Sequence, residues 1–458
     1  MIADLKPYPK YKESVFPWLG QVPMHWAVER TKWHFQTRKE LNASGAHTNI
    51  LSLTLRGVVN NNPDDPEGLV PKDYRTYQFF AKGDLVFKLI DLENIRTSRV
   101  GLVHEDGIMS SAYVRLVPSH TTNIRYFLHQ FYDLYSRGIY NQLGAGVRST
   151  LGPSDLLNIG IVIPSSSEQT AIERFLDWAN GRLERAIRAK RKLIALLNEQ
   201  KQAIIHHAVT RGLDPSVPLK PSGIPWLGDI PRHWSLKRFK FLVTINSGQV
   251  DPRKAEYRNL VLIAPNHIQS GSGRLLKQET ADEQGADSGK YLVNRGQVIY
   301  SKIRPNLRKA TLAPCDCLCS ADMYPMAPAT GELSTDFLFL LLLSQPFTKF
   351  AVDTSMRVAM PKVNRDALAN CLMWYPGPQE QLQILGFIAR EGAPVDTAIT
   401  RLEREIDLLR EYRTRLVADV VTGKLDVREA AARLPKEKDK LDTLDEVDVE
   451  NDMEDALL

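Results

Sequence analysis

The chain has 458 residues, 43% of them hydrophobic and 25% charged, which is typical of a globular protein with two to four domains. No run of about 18 apolar residues occurs, the N-terminus has no signal-peptide pattern, and there are only four cysteines. These features argue against a membrane-spanning helix and a secreted disulfide scaffold, so we expect a cytoplasmic protein.

The net charge of +5 is unevenly distributed. The segment 436–458 contains three Lys and ten Asp or Glu, so it carries −7 and residues 1–435 carry +12. A basic body suits a polyanionic partner such as DNA, although solubility alone would also explain it. The acidic end has few aromatic residues and is predicted to be disordered.

A ten-residue motif near the N-terminus occurs twice. Residues 17–26 read PWLGQVPMHW and residues 225–234 read PWLGDIPRHW, with seven identical positions at an offset of 208. Other segments match at nearly the same offset: Lys82–Phe87 with Arg295–Tyr300, Ser111-Ala112 with Ser320-Ala321, Pro164–Gln169 with Pro376–Gln381, and Val209–Asp214 with Val421–Asp426. The chain therefore contains two copies of a unit of about 210 residues.

The first part of each copy has short apolar runs broken by Gly, Pro, Asn and Asp. This pattern predicts a mixed globular domain of strands, turns and short helices. Lys82–Phe87 and Arg295–Tyr300 are each predicted to form a turn at Gly followed by a buried strand.

The last part of each copy has almost no Gly or Pro and is predicted to be one long helix. The spacing from Ser165 to Glu168 is that of a capping box, which marks a helix start. Apolar residues then recur at steps of four and three: Ile172, Leu176, Ala179, Leu183, Ala186, Leu193, Leu197 and Ile204 in the first copy, and Val395, Ile399, Leu402, Ile406, Leu409, Leu416 and Val420 in the second. These heptad positions predict that the two helices pack on each other, with the second running back along the first.

The predicted fold class is therefore α+β and multi-domain, with two mixed α/β domains, an antiparallel coiled coil and a pseudo-two-fold internal repeat. The predicted boundaries are 1–166 and 213–378 for the globular domains, 167–212 and 379–426 for the helices, and 427–458 for the acidic tail. A helix of about 40 residues is ~60 Å long. DNA repeats its major groove every ~34 Å, so two diverged domains on such a spacer suit a target with two different half-sites.

The chain resembles the specificity subunits of type I restriction–modification systems. The resemblance lies in the duplicated PWLG-x-[IV]-P-x-HW motif, the strand after Gly, the Pro…Glu-Gln helix start and the Lys/Arg-rich helix. The resemblance covers residues 11–426. It implies two target recognition domains, and a non-catalytic subunit that joins two methyltransferase subunits and, in the endonuclease, two restriction subunits. It also implies that S-adenosylmethionine, ATP and Mg²⁺ are used by those partners and not by this chain.

Candidate DNA-contacting residues are basic or amide side chains in irregular segments, where Arg and Lys can reach bases or phosphates. The densest segment is 301–309, for which a charged, exposed strand edge is the alternative interpretation. The candidates are Lys302, Arg304, Asn306, Arg308, Lys309, Arg357 and Lys362 in the second copy, and Lys88, Arg96, Arg99 and Arg148 in the first.

The sequence offers little for catalysis. Residues 285–290 resemble a phosphate loop that is one residue short, and are better interpreted as a polar turn before a strand. Cys315, Cys317 and Cys319 lack the spaced pairs of a zinc site and fit a buried strand. Two other hypotheses stay open: an enzyme of unknown class, and a coiled-coil scaffold that binds only proteins.

Overall fold

The structure is a computed structural model that describes residues 5–54, 57–62, 71–90, 92, 100–119, 122–144, 150–355 and 361–435. Backbone contacts divide these residues into two compact units. Unit 1 contains the residues up to Lys190 together with those from Glu403 to Pro435, and unit 2 contains Arg191–Leu402. Each of the two long helices contributes one half to each unit.

In the described residues of the first copy, the elements are twelve short strands and four helices. The strands are β1 (Tyr11–Glu13), β2 (Gln21–Pro23), β3 (Ala27–Arg30), β4 (Phe35–Arg38), β5 (Leu51–Thr54), β6 (Gly57–Asn60), β7 (Gln78–Phe80), β8 (Leu85–Phe87), β9 (Val100–Leu102), β10 (Gly107–Met109), β11 (Val114–Pro118) and β12 (Gly160–Ile163). The helices are α1 (Ile124–Ser136), α2 (Ile139–Leu143), α3 (Pro153–Asn158) and the long α4 (Ser166–Arg211).

The second copy repeats this order. Its strands are β13 (Leu219–Pro221), β14 (Asp229–Pro231), β15 (Ser235–Arg238), β16 (Val243–Ile245), β17 (Gln249–Val250), β18 (Leu262–Ile263), β19 (Lys290–Val293), β20 (Val298–Ser301), β21 (Ala310–Leu312), β22 (Cys317–Cys319), β23 (Met323–Pro328) and β24 (Leu372–Tyr375). Its helices are α5 (Thr335–Leu343), α6 (Gln345–Thr354), α7 (Arg365–Asn370) and the long α8 (Pro378–Val421), and a short α9 (Arg428–Ala432) follows.

Each unit is built on an antiparallel four-stranded sheet with the same strand order. The order is β4-β11-β8-β9 in unit 1 and β16-β23-β20-β21 in unit 2. The inner strands β8 and β20 are fully buried, and the glycine before each, Gly83 or Gly296, has a positive φ (92° and 83°). The predicted turn at Gly followed by a buried strand is confirmed in both copies.

Each core is completed by the start of one long helix and the end of the other. In unit 1, Phe175 and Leu176 near the start of α4 pack in one cluster with Val420 near the end of α8. In unit 2, Ile384 near the start of α8 packs with Ala208 near the end of α4. Burial of these apolar faces stabilises the helix ends as parts of the globular cores.

The two long helices also contact each other along their polar faces. Within unit 1, Lys190 lies 2.5 Å from Glu405, and Arg413 lies 3.1 Å from Glu184. Residue numbers thus rise on one helix as they fall on the other, so the segments run antiparallel. Within unit 2, Lys201 contacts Asp396 at 2.6 Å.

The predicted heptad seam is wrong at two positions of α4. Ala186 is only half-buried while its neighbour Ile187 is 2% exposed, and Leu193 is 46% exposed. A straight α-helix has 3.6 residues per turn, so its buried stripe drifts by about 20° per heptad away from a strict seven-residue repeat. The buried side chain therefore moves one residue along the chain.

The predicted start of the disordered tail is also too early. Val427 and Ala431 are buried in the core of unit 1. Residues 427–435 therefore belong to the folded unit, and they include the short helix α9. The run Ala430-Ala431-Ala432 favours a helix, and its small side chains permit close packing. Residues 436–458 lie outside the described part of the chain.

Candidate nucleic-acid interface

The duplicated motif positions the start of each long helix. Its buried tryptophan, Trp26 or Trp234, follows a histidine that contacts the first turn of the helix. His25 lies 3.0 Å from Glu168 in unit 1, and His233 lies 2.7 Å from the equivalent Glu380 in unit 2. The motif therefore holds the incoming chain against the helix.

The carboxylate in unit 1 is more enclosed. Glu168 is 3% exposed and accepts a 2.6 Å hydrogen bond from the Tyr8 hydroxyl. Burial and this bond to the carboxylate raise the pKa of Tyr8, so its hydroxyl remains a donor. Glu380 accepts a 3.0 Å bond from the indole N–H of Trp234 instead.

The densest predicted contact segment, 301–309, connects β20 to β21 in unit 2. It contains a single 3₁₀ turn at Pro305–Leu307, closed at its base by the Ser301 N–H donating to the Lys309 carbonyl at 2.9 Å. Arg304 and Arg308 flank the turn, each with a φ of 47°. In the described part of the chain they are the non-glycine residues with positive φ, a conformation that costs on the order of 1 kcal/mol per residue.

A second segment lies alongside this loop. The Arg304 N–H donates to the Pro361 carbonyl at 2.8 Å, the Val363 N–H donates to the Lys302 carbonyl at 2.9 Å, and Ile303 forms a β-bridge with Lys362. Lys362 is therefore held next to the loop, although it lies 53 positions after the last loop residue, Lys309, in sequence. Exposed side chains on this surface are Arg304, Asn306 and Lys362.

The loop concentrates positive charge. Lys309 is half-buried, and burial together with the nearby charge of Arg304 lowers its pKa. Two cations held close to each other repel, and an anion placed beside them relieves that repulsion. This surface is therefore suited to a phosphate or to the acceptor edge of guanine.

Two of the predicted contact residues are engaged within the fold. The Lys302 ammonium donates to the Ala321 carbonyl at 2.5 Å and lies 5.4 Å from the centre of the Tyr324 ring. The Arg308 guanidinium donates to the Gln202 side chain at 3.4 Å. The charged groups of both residues thus have partners inside unit 2, and their role as DNA contacts stays a prediction.

Among the predicted contact residues of the first copy, Lys88 lies within the described part of the chain. Lys88 follows β8, is half-buried and has an interaction within the protein. Arg96, Arg99 and Arg148, and Arg357 of the second copy, lie outside the described residues. Their role as DNA contacts stays a prediction.

Two residues that support the loop carried no sequence signal. Gln202 on α4 accepts from Arg308 and donates to the Gly271 carbonyl at 3.1 Å. Arg365, at the start of α7, lies 5.4 Å from the Tyr324 ring and donates to the Asn246 carbonyl at 2.6 Å. These contacts join residues far apart in sequence, so residue spacing could not reveal them.

Other segments considered for chemistry are structural. Residues 285–289 form a polar turn before β19, in which the Lys290 ammonium donates to the Ser288 carbonyl at 2.7 Å. Cys317 and Cys319 are buried in β22, and burial raises the pKa of Cys317 to about 12. Within the described ranges, no three His, Cys, Asp or Glu side chains are grouped to hold a metal ion, and no helix is long and apolar enough to cross a bilayer.

Comparison with known proteins identifies relatives of this architecture. The chain is 31% identical over 286 residues to the type I restriction enzyme EcoDI specificity subunit of Escherichia coli, a match that covers 59% of this chain and 63% of that subunit. The chain is therefore similar to type I specificity subunits, and it spans less than two thirds of the length of this relative. It is also 23% identical over 336 residues to the MjaVIII specificity subunit of Methanocaldococcus jannaschii, covering 70% of this chain and 75% of that one.

The fold agrees with this relationship. A chain from a structure describing complex assembly and conformational transition of the type I restriction–modification system superposes with a TM-score of 0.57 at 14% identity. The superposition covers 88% of this chain and 99% of that chain. No protein-family model matches the sequence.

Proposed function

We propose that this chain is the DNA sequence-specificity subunit of a type I restriction–modification complex and catalyses no reaction itself. It binds a bipartite, asymmetric double-stranded target, with one half-site read by each unit. The observation that carries this proposal is the 31% identity over 286 residues to a type I specificity subunit. The two units with the same sheet order and the basic body are in keeping with it.

In this proposal the long helices α4 and α8 form the conserved coiled-coil spacer of the subunit. The subunit also assembles two methyltransferase subunits, and two restriction subunits in the endonuclease. Those partners use S-adenosylmethionine for methylation, and ATP and Mg²⁺ for cleavage. The exposed Arg304, Asn306 and Lys362 contact the half-site read by unit 2.

The test is to map methylated adenines in the genome of a host that carries this chain and its methyltransferase subunit. We expect N6-methyladenine in one motif made of two different short sequences separated by a fixed gap. The matched control is the same host with the methyltransferase subunit alone, which should lack the motif. Methylation of the same motif without this chain would contradict the proposal.

A direct measurement of DNA binding distinguishes the proposed function from that of a scaffold that binds only proteins. The complex of this chain with its methyltransferase subunit should shift duplex DNA that contains the mapped motif. Its affinity should fall steeply as salt rises, because phosphate contacts release counterions. A complex that assembles but shows no affinity for that DNA at low salt would favour the scaffold.

A further inference from the structure

An exposed aromatic residue next to a lysine occupies the same place in each unit. In unit 1, a 3₁₀ turn at Thr31–Trp33 connects β3 to β4. Thr31 is buried, and its N–H donates to the Ile159 carbonyl at 2.9 Å, which fixes the turn against the end of α3. Trp33 is 63% exposed, and the Lys32 ammonium lies 5.5 Å from the centre of its ring.

Unit 2 repeats this arrangement. A 3₁₀ turn at Phe239–Phe241 connects β15 to β16, and the N–H of the buried Phe239 donates to the Cys371 carbonyl at 2.8 Å. Phe241 is 60% exposed, and the Lys240 ammonium lies 5.1 Å from its ring. The offset between the two turns is 208 residues, the same as for the duplicated tryptophan motif.

The match extends to two more exposed side chains. Arg30 precedes the turn in unit 1 and Arg238 precedes it in unit 2. The last residue of the neighbouring short helix is Asn158 in unit 1 and Asn370 in unit 2, and each side-chain amide donates to the carbonyl four residues earlier, at 2.9 and 3.0 Å. We define the twin patches by these residues: Arg30, Lys32, Trp33 and Asn158 in unit 1, and Arg238, Lys240, Phe241 and Asn370 in unit 2.

We propose that the twin patches are equivalent docking points for two copies of one partner protein. This inference rests on the proposed function, in which the partner is the methyltransferase subunit. Outside the duplicated motifs the two copies differ at most positions, as expected of readers of two different half-sites. A surface that keeps the same Arg, Lys, aromatic and Asn in both units instead suits a ligand that is the same on both.

The chemistry of the patches favours a protein over DNA. Phosphates reward Arg and Lys but gain little from an exposed tryptophan or phenylalanine ring, whereas Trp, Phe and Arg are enriched at protein interfaces. A large exposed ring with a lysine ammonium beside it fits an apolar pocket rimmed by carboxylates. The partner should therefore present such a pocket.

In unit 2, the patch and the candidate DNA loop lie at different ends of the short helix α7. Lys362 and the bridge to Ile303 precede the first residue of α7, whereas Asn370 is its last residue and α7 packs on the turn that carries Phe241. The patch and the loop therefore share no residue.

The test counts bound partners by native mass spectrometry, with the cognate methyltransferase subunit as the probe. One variant carries Lys32→Glu and Trp33→Ala, a second carries Lys240→Glu and Phe241→Ala, and a third combines all four substitutions. Wild type should bind two copies and the third variant none. Each of the first two should bind one copy, with affinity for the other reduced at least about tenfold.

Matched controls are Tyr132→Ala in unit 1 and Leu292→Ala in unit 2, which truncate side chains 41% and 39% exposed at other sites. Both should still bind two copies, and Trp33→Tyr should retain most of the affinity. The melting temperature of every variant should equal that of wild type, since only exposed side chains change.

Three results would overturn the inference. The first is that all variants bind two copies with wild-type affinity. The second is that the combined variant binds two copies yet loses affinity for DNA, which would make the patches phosphate contacts. The third is that a folded single-unit variant loses both copies, which would mean that the patches do not act independently. Wild type that binds no methyltransferase would instead contradict the proposed function.

Discussion

The second sheets of the two units differ in extent but share one pairing scheme. In unit 2 the order β17-β19-β22-β18 forms a four-stranded sheet, with two-residue outer strands and a parallel pair of β18 with β22. Among the described residues of unit 1, the corresponding sheet has β7 and β10 paired as strands, and its outer positions are single bridges, Leu41 with Gln78 and, in parallel, Ile50 with Ile108. Even the parallel contact has its counterpart.

The difference shows which property of the fold survives sequence divergence. Strand pairing depends on backbone N–H and C=O groups, which every non-proline residue carries, so it tolerates changes of side chain. Exposed loops lack that constraint and vary more. The two units therefore keep a common frame and differ in the segments between its strands.

The largest expected effect comes from exchanging the variable part of one unit. Replacing residues 215–375 with the matching region of a related subunit should change one half-site completely and leave the other intact. The methylated motif in the host genome gives the answer, with the unmodified subunit as control. A folded hybrid that alters both half-sites would show that the units do not read independently.

The second prediction compares neighbouring positions on α4. Ile187→Ala should lower the free energy of unfolding by about 3 kcal/mol, because it removes a buried side chain and leaves a cavity. Leu193→Ala, at a 46% exposed position, should change it by less than about 1 kcal/mol. Urea unfolding of the full chain measures both. Equal losses of unfolding free energy in the two variants would support the strict heptad seam, in which Leu193 is buried, over the pattern of burial seen in the structure.

The third prediction compares the two carboxylates at the helix starts. Glu168→Ala should lower the free energy of unfolding by about 2 kcal/mol, because the buried Tyr8 hydroxyl loses its acceptor. Glu380→Ala should lower the free energy of unfolding by about 1 kcal/mol. The Glu380 side chain is 26% exposed, so water can replace part of the hydrogen bonding that the carboxylate provides. Hydrogen exchange at the first turns of α4 and α8 localises each effect. A larger loss for Glu380→Ala would reverse the comparison.

The prediction with the smallest expected effect distinguishes loop residues that contact DNA from loop residues that hold the loop in position. Arg304→Ala should weaken DNA binding by about 1 kcal/mol and, if it contacts a phosphate, reduce the salt slope by about 1. Lys302→Ala should lower the melting temperature, because its bond to Ala321 is lost. Arg253→Ala is the control, an exposed arginine of unit 2 paired with Asp251. Unchanged DNA affinity in Arg304→Ala would remove it from the interface.

Sequence alone predicted features that depend on local patterns or on internal repetition. The helix start at Ser165–Glu168 follows from capping chemistry, and the strands after Gly83 and Gly296 follow from a short apolar run after a turn residue. The strand pairings, and the approach of Lys362 to Arg304, depend on long-range contacts that no spacing encodes. The twin patches lie between these cases, since Arg30-x-Lys32-Trp33 and Arg238-x-Lys240-Phe241 recur at the repeat offset.

One backbone hydrogen bond in unit 1 lies where unit 2 has a covalent connection. Asp426 donates its N–H to the Lys6 carbonyl at 2.8 Å, and by the repeat offsets both positions correspond to residue 214, where unit 2 has unbroken backbone. Unit 1 thus closes by a hydrogen bond where unit 2 closes by a covalent chain. Closure of the fold at this place therefore needs no peptide bond.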